Sequence, residues 1–377
     1  MRLLKLKDQC TGCGACASVC PRSCIEMVMD SEGFYYPQVT ESKCIGCGLC
    51  EKNCHSLHET CVEAVRHSYY GYSNDPTIRV HSSSGGAFSA LAEEFLHQGG
   101  NVYGAAFDYD RVQLIHTSTD CVHLEDLRKS KYMESYMGTV IANISQDLVK
   151  GRQVLFCGTP CQVAGVRQVV GNHDLLCLCD FVCHGVPSTG VFREYLTQRL
   201  GKNEKLLELD FRPGEYGWSE KYLKLTTNKQ VYATPHYLDF YYKGFMTDNA
   251  FLRRSCYDCK YVQNRHSDIT IADFWGYKHL DPAPAAGDGL SLIIAHTPKG
   301  CYRVESMKNF TLCPIDNELA AYVFKKRDYL QSLKTRAAFY EMKRKKGIKD
   351  TAVKLYMGNY FEKKLKYTVK KLLGRVK

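Results

Sequence analysis

Cys10-Thr11-Gly12-Cys13-Gly14-Ala15-Cys16-Ala17-Ser18-Val19-Cys20-Pro21 is the stretch from which the rest of the chain is read. Three cysteines stand two residues apart, a fourth follows after three more, and a proline comes next. That is the bacterial spacing for a 4Fe–4S cubane. Thiolates at this interval wrap a tight loop around one face of a cluster, and the small glycines let backbone N–H groups approach the sulfurs. The run is repeated at Cys44-Ile45-Gly46-Cys47-Gly48-Leu49-Cys50 and Cys54, with His55 where proline is usual. Repetition of this kind marks a duplicated small module. The fourth cysteine of each run serves the other cluster. Cys10, Cys13, Cys16 and Cys54 are therefore assigned to one cubane, and Cys44, Cys47, Cys50 and Cys20 to a second. A structural zinc site takes four ligands in two pairs, not two runs of four.

Outward from this module, composition sets bounds. The chain has 377 residues, 45% of them hydrophobic, enough for a second and larger domain with its own core. Twenty cysteines without an apolar leader at Met1–Asp8 argue against a secreted disulfide scaffold. No run approaches the roughly 18 apolar residues of a membrane span. The expectation is a cytoplasmic, reduced protein whose cysteines hold metal, in an anaerobic setting. The net charge of +10 is concentrated at one end: Lys343–Lys377 carries thirteen Lys/Arg against Asp350 and Glu362. Nucleic acid is not an expected partner, because the rest of the chain is close to neutral.

From about Tyr69 the pattern changes to apolar runs alternating with helical periodicity. Asn101–Phe107, Gln153–Phe156 and Asp174–Val182 read as buried strands. Ala87–Gln98, Gly138–Lys150, Pro160–Val170 and Ser188–Leu200 read as helices. The alternation predicts α/β with a mostly parallel sheet; residues 205–235 read as antiparallel strands. The expected organisation is an α+β ferredoxin-like module over 1–60, a larger α/β domain over 68–327 and a basic helical tail over 328–377. That tail is interrupted at Gly347, Gly358 and Gly374. No low-complexity linker separates the parts, so close packing is expected.

Twelve cysteines remain after the two clusters. Cys161 follows a predicted strand, Cys183 ends the next one, and Cys256 and Cys259 form a Cys-x2-Cys. Strand C-termini of a parallel sheet share an edge where ligands bind. Two single cysteines from that edge plus one pair make a four-thiolate set. A third 4Fe–4S cluster, a zinc ion and uncoordinated thiols are the alternatives, the cluster favoured because the chain already handles electrons. The remaining eight are Cys24, Cys61, Cys121, Cys157, Cys177, Cys179, Cys301 and Cys313; the reading of a small buried hydrophobe suits Cys177 and Cys179 on a strand, and Cys157 is a candidate substitute ligand.

Ser82-Ser83-Ser84-Gly85-Gly86-Ala87 opens a helix. Exposed N–H groups beside glycines at a helix start form an anion site, although serines there also serve as ordinary N-caps. Lys131 reads either as a positive charge near a phosphate or reduced ring, or as a solvated lysine. Clusters carry single electrons while organic substrates exchange pairs, so a converter is needed; flavin is the common one.

Ser84-Gly85-Gly86-Ala87, Ser130-Lys131-Tyr132, Gly158-Thr159-Pro160-Cys161-Gln162, Cys183-His184-Gly185, Cys256-x2-Cys259-Lys260 and Ser267–Gly276 occur in that order. In this ordered set the chain resembles the coenzyme F-420 hydrogenase/dehydrogenase beta-subunit family, in its bacterial form with a fused ferredoxin. The resemblance covers about residues 1–310. It implies an FAD-containing domain with its own 4Fe–4S cluster, ligated by Cys161, Cys183, Cys256 and Cys259. It also implies Ser84, Gly85, Gly86 and Lys131 as flavin contacts, and Asp268 and Asp273 as site residues; a turn or strand-end role is the other reading of both aspartates. Archaeal members reduce a deazaflavin, and others resemble reductases of chlorophyll-type pigments or accompany surface-polysaccharide synthesis. The Cys-His-Gly, the Phe-Cys before Gly158 and the basic tail resemble the bacterial branch.

The function expected is that of an iron–sulfur flavoprotein oxidoreductase. It would pass electrons between a ferredoxin or other redox protein and a small-molecule or carrier-linked organic acceptor. The alternatives are a non-catalytic relay within a larger redox complex and a deazaflavin reductase. The basic tail, with Leu355, Tyr356, Tyr360, Phe361, Leu365, Val369, Leu372 and Leu373 between its charges, reads as an amphipathic helix. Such a helix lies on the inner membrane face, docks an acidic partner, or packs on the body.

Overall fold

Gly12, Gly14, Gly46 and Gly48 all adopt left-handed backbone, with φ between 67° and 75°, in the computed structural model. Only glycine takes this conformation without strain, so both cysteine loops turn the same way. The structure describes residues 7–58, 67–325, 329–356 and 367–368. Each loop runs into a single helical turn, Ala15–Ser18 and Leu49–Lys52. Between them β1 (Ile25–Met29) and β2 (Tyr35–Val39) pair antiparallel, Ile25 opposite Val39.

The body contributes β3 (His67–Ser73), β4 (Asn101–Asp108), β5 (Gln113–Ser118), β6 (Ser135–Tyr136), β7 (Val154–Gly158), β8 (Leu176–Phe181), β12 (Ile269–Asp273), β13 (Ser291–Ala295) and β14 (Phe310–Ile315). Among the described residues these form a nine-stranded sheet in the order β14-β3-β13-β12-β8-β7-β4-β5-β6. Three antiparallel strands, β9 (Leu206–Asp210), β10 (Tyr222–Thr227) and β11 (Val231–Pro235), make a second sheet, as the pattern over 205–235 predicts.

The expectation of a mostly parallel sheet is corrected. Only β4, β7, β8 and β12 form a continuous parallel core. β5, β13, β3 and β14 join their neighbours antiparallel, and β6 lies parallel to β5. Connection length decides direction. The helix Pro160–Val170 carries the chain back between β7 and β8, while residues 109–112 join β4 to β5 as a tight turn. The apolar runs report that strands are buried on both faces, not which way they point.

The first module packs against this sheet through small residues and buried charge. Gly33 and Gly190 meet so closely that a Cβ on Gly33 would lie 2.5 Å from the Gly190 backbone. Ser188 donates to the Glu32 carbonyl at 2.6 Å. Arg253, its side chain 1% exposed, donates to the carbonyls of Cys10 and Tyr35, both at 2.7 Å, and pairs with Glu134. An ion pair buried this deeply is costly to break by removing one partner, about 3–5 kcal/mol.

The helix Ser332–Tyr356 closes the description, broken at Gly347 (φ 76°, ψ 172°) as expected. It docks on both sides of the break: Arg336 grips the Glu32 carboxylate at 3.0 and 2.6 Å, Phe339 before the break and Ile348 after it are buried, and Lys343 pairs with Glu194. Tyr360, Phe361, Leu365, Val369, Leu372 and Leu373, with Gly358, Gly374 and Cys61, lie outside the described residues. Among the described residues no helix is long and apolar enough to cross a membrane.

Candidate functional site

Cys20, Cys44, Cys47 and Cys50 line one small cavity of about 130 Å³ in the first module. These are the four that sequence spacing assigns to a single cubane. Cys24 lines it too, its sulfur 3.3 Å from that of Cys20; nothing in the spacing flags this fifth thiol. Cys47 and Ile45 are exposed, so this distal set sits at the surface.

Cys10, Cys13, Cys16 and Cys54 form a second, more enclosed group. Burial above all, helped by the neighbouring Cys10 and Cys54, pushes the Cys13 thiol up to about 12. Burial, then Cys13, Cys10 and Cys54, raises Cys16 likewise. Sulfurs that resist one another's charge in a buried place suit a polycationic metal centre, whose own charge reverses that preference. This proximal set reaches the body directly. A Cβ on Gly165 of the helix Pro160–Val170 would lie 2.9 Å from both Cβ and Sγ of Cys13.

Cys161, Cys183, Cys256 and Cys259 are brought together from four chain positions. Cys161 is in the first turn of Pro160–Val170, which Thr159 and Gln162 start with a reciprocal capping box. Cys183 follows β8, Cys256 ends the 3-10 turn Arg254–Cys256, and Cys259 stands just before the turn Lys260–Val262. The Cys161 thiol is raised well above its usual value by burial and by Cys259, Cys183 and Cys256. The Val186 N–H points at Cys256 Sγ at 3.4 Å. Among the described residues no three His, Cys, Asp or Glu side chains converge as they would on a single ion. One zinc draws its sulfurs to about 2.3 Å from a point, whereas a cubane holds one thiolate at each of four corners.

A larger cavity, of about 650 Å³, opens where these parts meet. Its wall includes Thr11 and Gly12 of the proximal loop, Cys183 of the third set, and the carboxyl ends of β7, β8 and β12. Ser84, Gly86, Lys131 and Asp273 line it. Gly86 (φ 92°) starts the helix Ala87–His97 without an N-cap side chain; the Ala87 N–H reaches the Ser291 hydroxyl at 3.4 Å, which leaves the N–H groups of Phe88 and Ser89 for a ligand. The three serines hold the loop instead. Ser82 donates to the Ile78 carbonyl, Ser83 accepts from the Ser130 N–H, and Ser84 donates to the Leu290 carbonyl.

Lys131 is not a solvated lysine. The residue is half-buried; its ammonium donates to the Arg128 carbonyl, and burial lowers its pKa to about 7. Asp273 accepts from Arg212 at 3.0 Å and from the Trp218 indole at 3.3 Å. Trp218 stacks on Trp275, centroids 4.2 Å apart, and Trp275 is 41% exposed at the cavity. His116, hydrogen-bonded to Ser135 and the Cys157 carbonyl, is lowered to about 4 by burial and so stays neutral.

Two expected contacts lie elsewhere. Gly85 packs against the backbone of Gly71 and Ser291, without lining the cavity. Asp268 is buried at the start of β12, where it accepts from the Leu178 N–H at 2.8 Å and from Thr297 at 2.9 Å, and pairs with Arg167. It ties β12 to β8. Arg212 and His116 had no signal in the sequence, because only long-range packing brings them to the wall.

Residues 151–317 match the family described as the C terminus of the coenzyme F420 hydrogenase/dehydrogenase beta subunit. Residues 9–57 match the 4Fe-4S dicluster domain. No curated protein matches the chain. Among solved structures, a chain of the F420-reducing NiFe hydrogenase complex from Methanosarcina barkeri, studied as a xenon derivative, is 14% identical. That alignment covers 75% of this chain and 94% of that one, with a TM-score of 0.47.

Proposed function

Since residues 151–317 match the coenzyme F420 hydrogenase/dehydrogenase beta-subunit family and residues 9–57 match a 4Fe–4S dicluster domain, we propose that this chain is an iron–sulfur flavoprotein oxidoreductase. Iron–sulfur electron transfer follows from the dicluster domain. The proposal adds a third cubane at Cys161, Cys183, Cys256 and Cys259, a flavin in the large cavity, and an organic acceptor.

One observation carries the reading. A single cavity is walled at once by the proximal cysteine loop, by Cys183 and by an uncapped helix start beside a half-buried lysine. With cubanes bound, the exposed distal set would receive electrons from a partner, and the proximal and third sets would hold the cubanes between it and the cavity. Flavin, when bound, takes electrons singly and gives them as a pair. The residues of the chain do the rest. N–H groups after Gly86 would hold a phosphate, and Lys131 would offset its charge. Asp273 holds Arg212 in the wall, and neutral His116 adds no charge of its own. Trp275, with Lys221 beside it, leaves a flat, half-open mouth for a planar organic acceptor delivered from solution or by a carrier.

The test is anaerobic reconstitution with FAD and with FMN. Lys131→Met should weaken uptake about tenfold, the scale of one hydrogen bond to a charged group. Because the Lys131 ammonium loses its proton above about pH 7, wild-type uptake should weaken as pH rises from about 6 to 8, and the variant should be flat. Wild-type protein that takes up neither flavin would overturn the enzyme reading in favour of an electron relay.

A further inference from the structure

His55 stands where the cysteine signature usually has proline, and it is buried between two thiol sets. Its Nε2 lies 3.3 Å from Cys13 Sγ and 3.3 Å from the Thr11 hydroxyl. Its Nδ1 meets the Tyr261 hydroxyl. Tyr261 is itself buried, two residues beyond Cys259, and its phenol is close enough to Cys161, Cys13 and Cys259 to feel their charge. The same junction is held from two other directions. Lys260 donates to the His55 carbonyl at 3.1 Å, and Gly165 lets the helix that bears Cys161 come down onto Cys13.

A metal-bound thiolate has no proton to give, so Nε2 carries the proton toward Cys13 and Nδ1 accepts from the Tyr261 hydroxyl. The ring therefore bridges a ligand of the proximal set to a phenol lying against the third set. We propose that His55, oriented by Tyr261, is a positioning residue that sets the reduction potential of the proximal cluster and couples it to the third. A hydrogen bond to a cluster sulfur stabilises the reduced, more negative state and raises the potential. The step it governs moves one electron: the proximal centre is oxidised by one, the third is reduced by one, and no bond or proton changes place. The proximal set is then a junction, with Thr11 and Gly12 on the cavity wall and His55–Tyr261 leading to the third set.

The inference rests on the reading that both sets hold cubanes. An iron count on the wild type, about twelve per chain for three cubanes, tests that reading separately. The experiment is an EPR-monitored redox titration of the anaerobically purified full chain and its variants. His55→Leu should lower the proximal potential and shift the electron's partition toward the third set about tenfold, which for one electron is about 59 mV. Tyr261→Phe should shift it in the same direction by less. His55→Gln, which keeps a donor toward Cys13, should recover most of the wild-type value. An unchanged partition in Tyr261→Phe and His55→Leu, with iron intact, overturns the proposal. Should His55→Leu lose iron, Tyr261→Phe alone decides, because its side chain ligates nothing.

Discussion

The loops Cys10–Cys16 and Cys44–Cys50 are near copies in sequence and backbone, yet their surroundings are opposite. Ala15 is 1% exposed and its counterpart Leu49 is 37% exposed. A Cβ on Gly12 would meet Glu134 at 2.7 Å and Arg253 at 2.9 Å, whereas one on Gly46 meets nothing within 4 Å. The comparison teaches that a duplicated unit acquires direction from what it packs against. The outward loop can exchange electrons with a partner, and the inward loop faces the cavity and the third thiol set.

The strongest way to break this contrast is to remove what holds the inward loop. Arg253→Met leaves Glu134 buried without its ion pair and should cost about 3–5 kcal/mol in anaerobic urea unfolding. Lys43→Met beside the outward loop should stay within about 0.5 kcal/mol. Similar losses in both would contradict the asymmetry.

A sharper comparison substitutes the matched glycines. Gly12→Ala and Gly46→Ala both meet left-handed strain of about 1–2 kcal/mol. Gly12→Ala alone adds overpacking against Glu134 and Arg253, about 1–3 kcal/mol more. Equal unfolding midpoints for the two variants would mean that the body does not press on the inward loop.

The smallest effect is expected on acidification. Burial raises the Glu32 pKa, but the Arg336 contact outweighs it and the net shift is downward from 4.5. Glu32 therefore contributes stability above about pH 4.5 that is lost as pH falls through its depressed value. The urea midpoint should fall over that window in the wild type, and Arg336→Met should reduce the slope. A slope unaffected by the substitution would remove Arg336 as the clamp between the β1–β2 hairpin and the C-terminal helix.

Much of this was legible where the signal is local. The helix Pro160–Val170 is announced by Thr159, Pro160 and Gln162, which cap it within three residues. The cysteine spacing groups the same four thiols that line the distal cavity. Legibility fails where position along an element decides the role. Asp268 and Asp273 sit at opposite ends of one strand region; the first is stitched to Leu178 and the second faces the cavity, and the sequence treats them alike. Lys131 reads the same whether enclosed or solvated. His55 and Tyr261 are 206 positions apart, so their contact belongs to the fold and not to any motif. Strand direction was likewise hidden, because β13, buried along its whole length, has the same apolar texture whether parallel or antiparallel.

The central claim is that three cubanes and a flavin share one chain. Metal, sulfide and flavin analysis of anaerobically prepared full-length protein tests it most directly, with Cys256→Ser/Cys259→Ser as the companion variant. The account predicts about twelve irons and one flavin per chain, and about four irons fewer in the variant with the first module's two clusters unchanged. About eight irons with one zinc and no flavin in the wild type would contradict it.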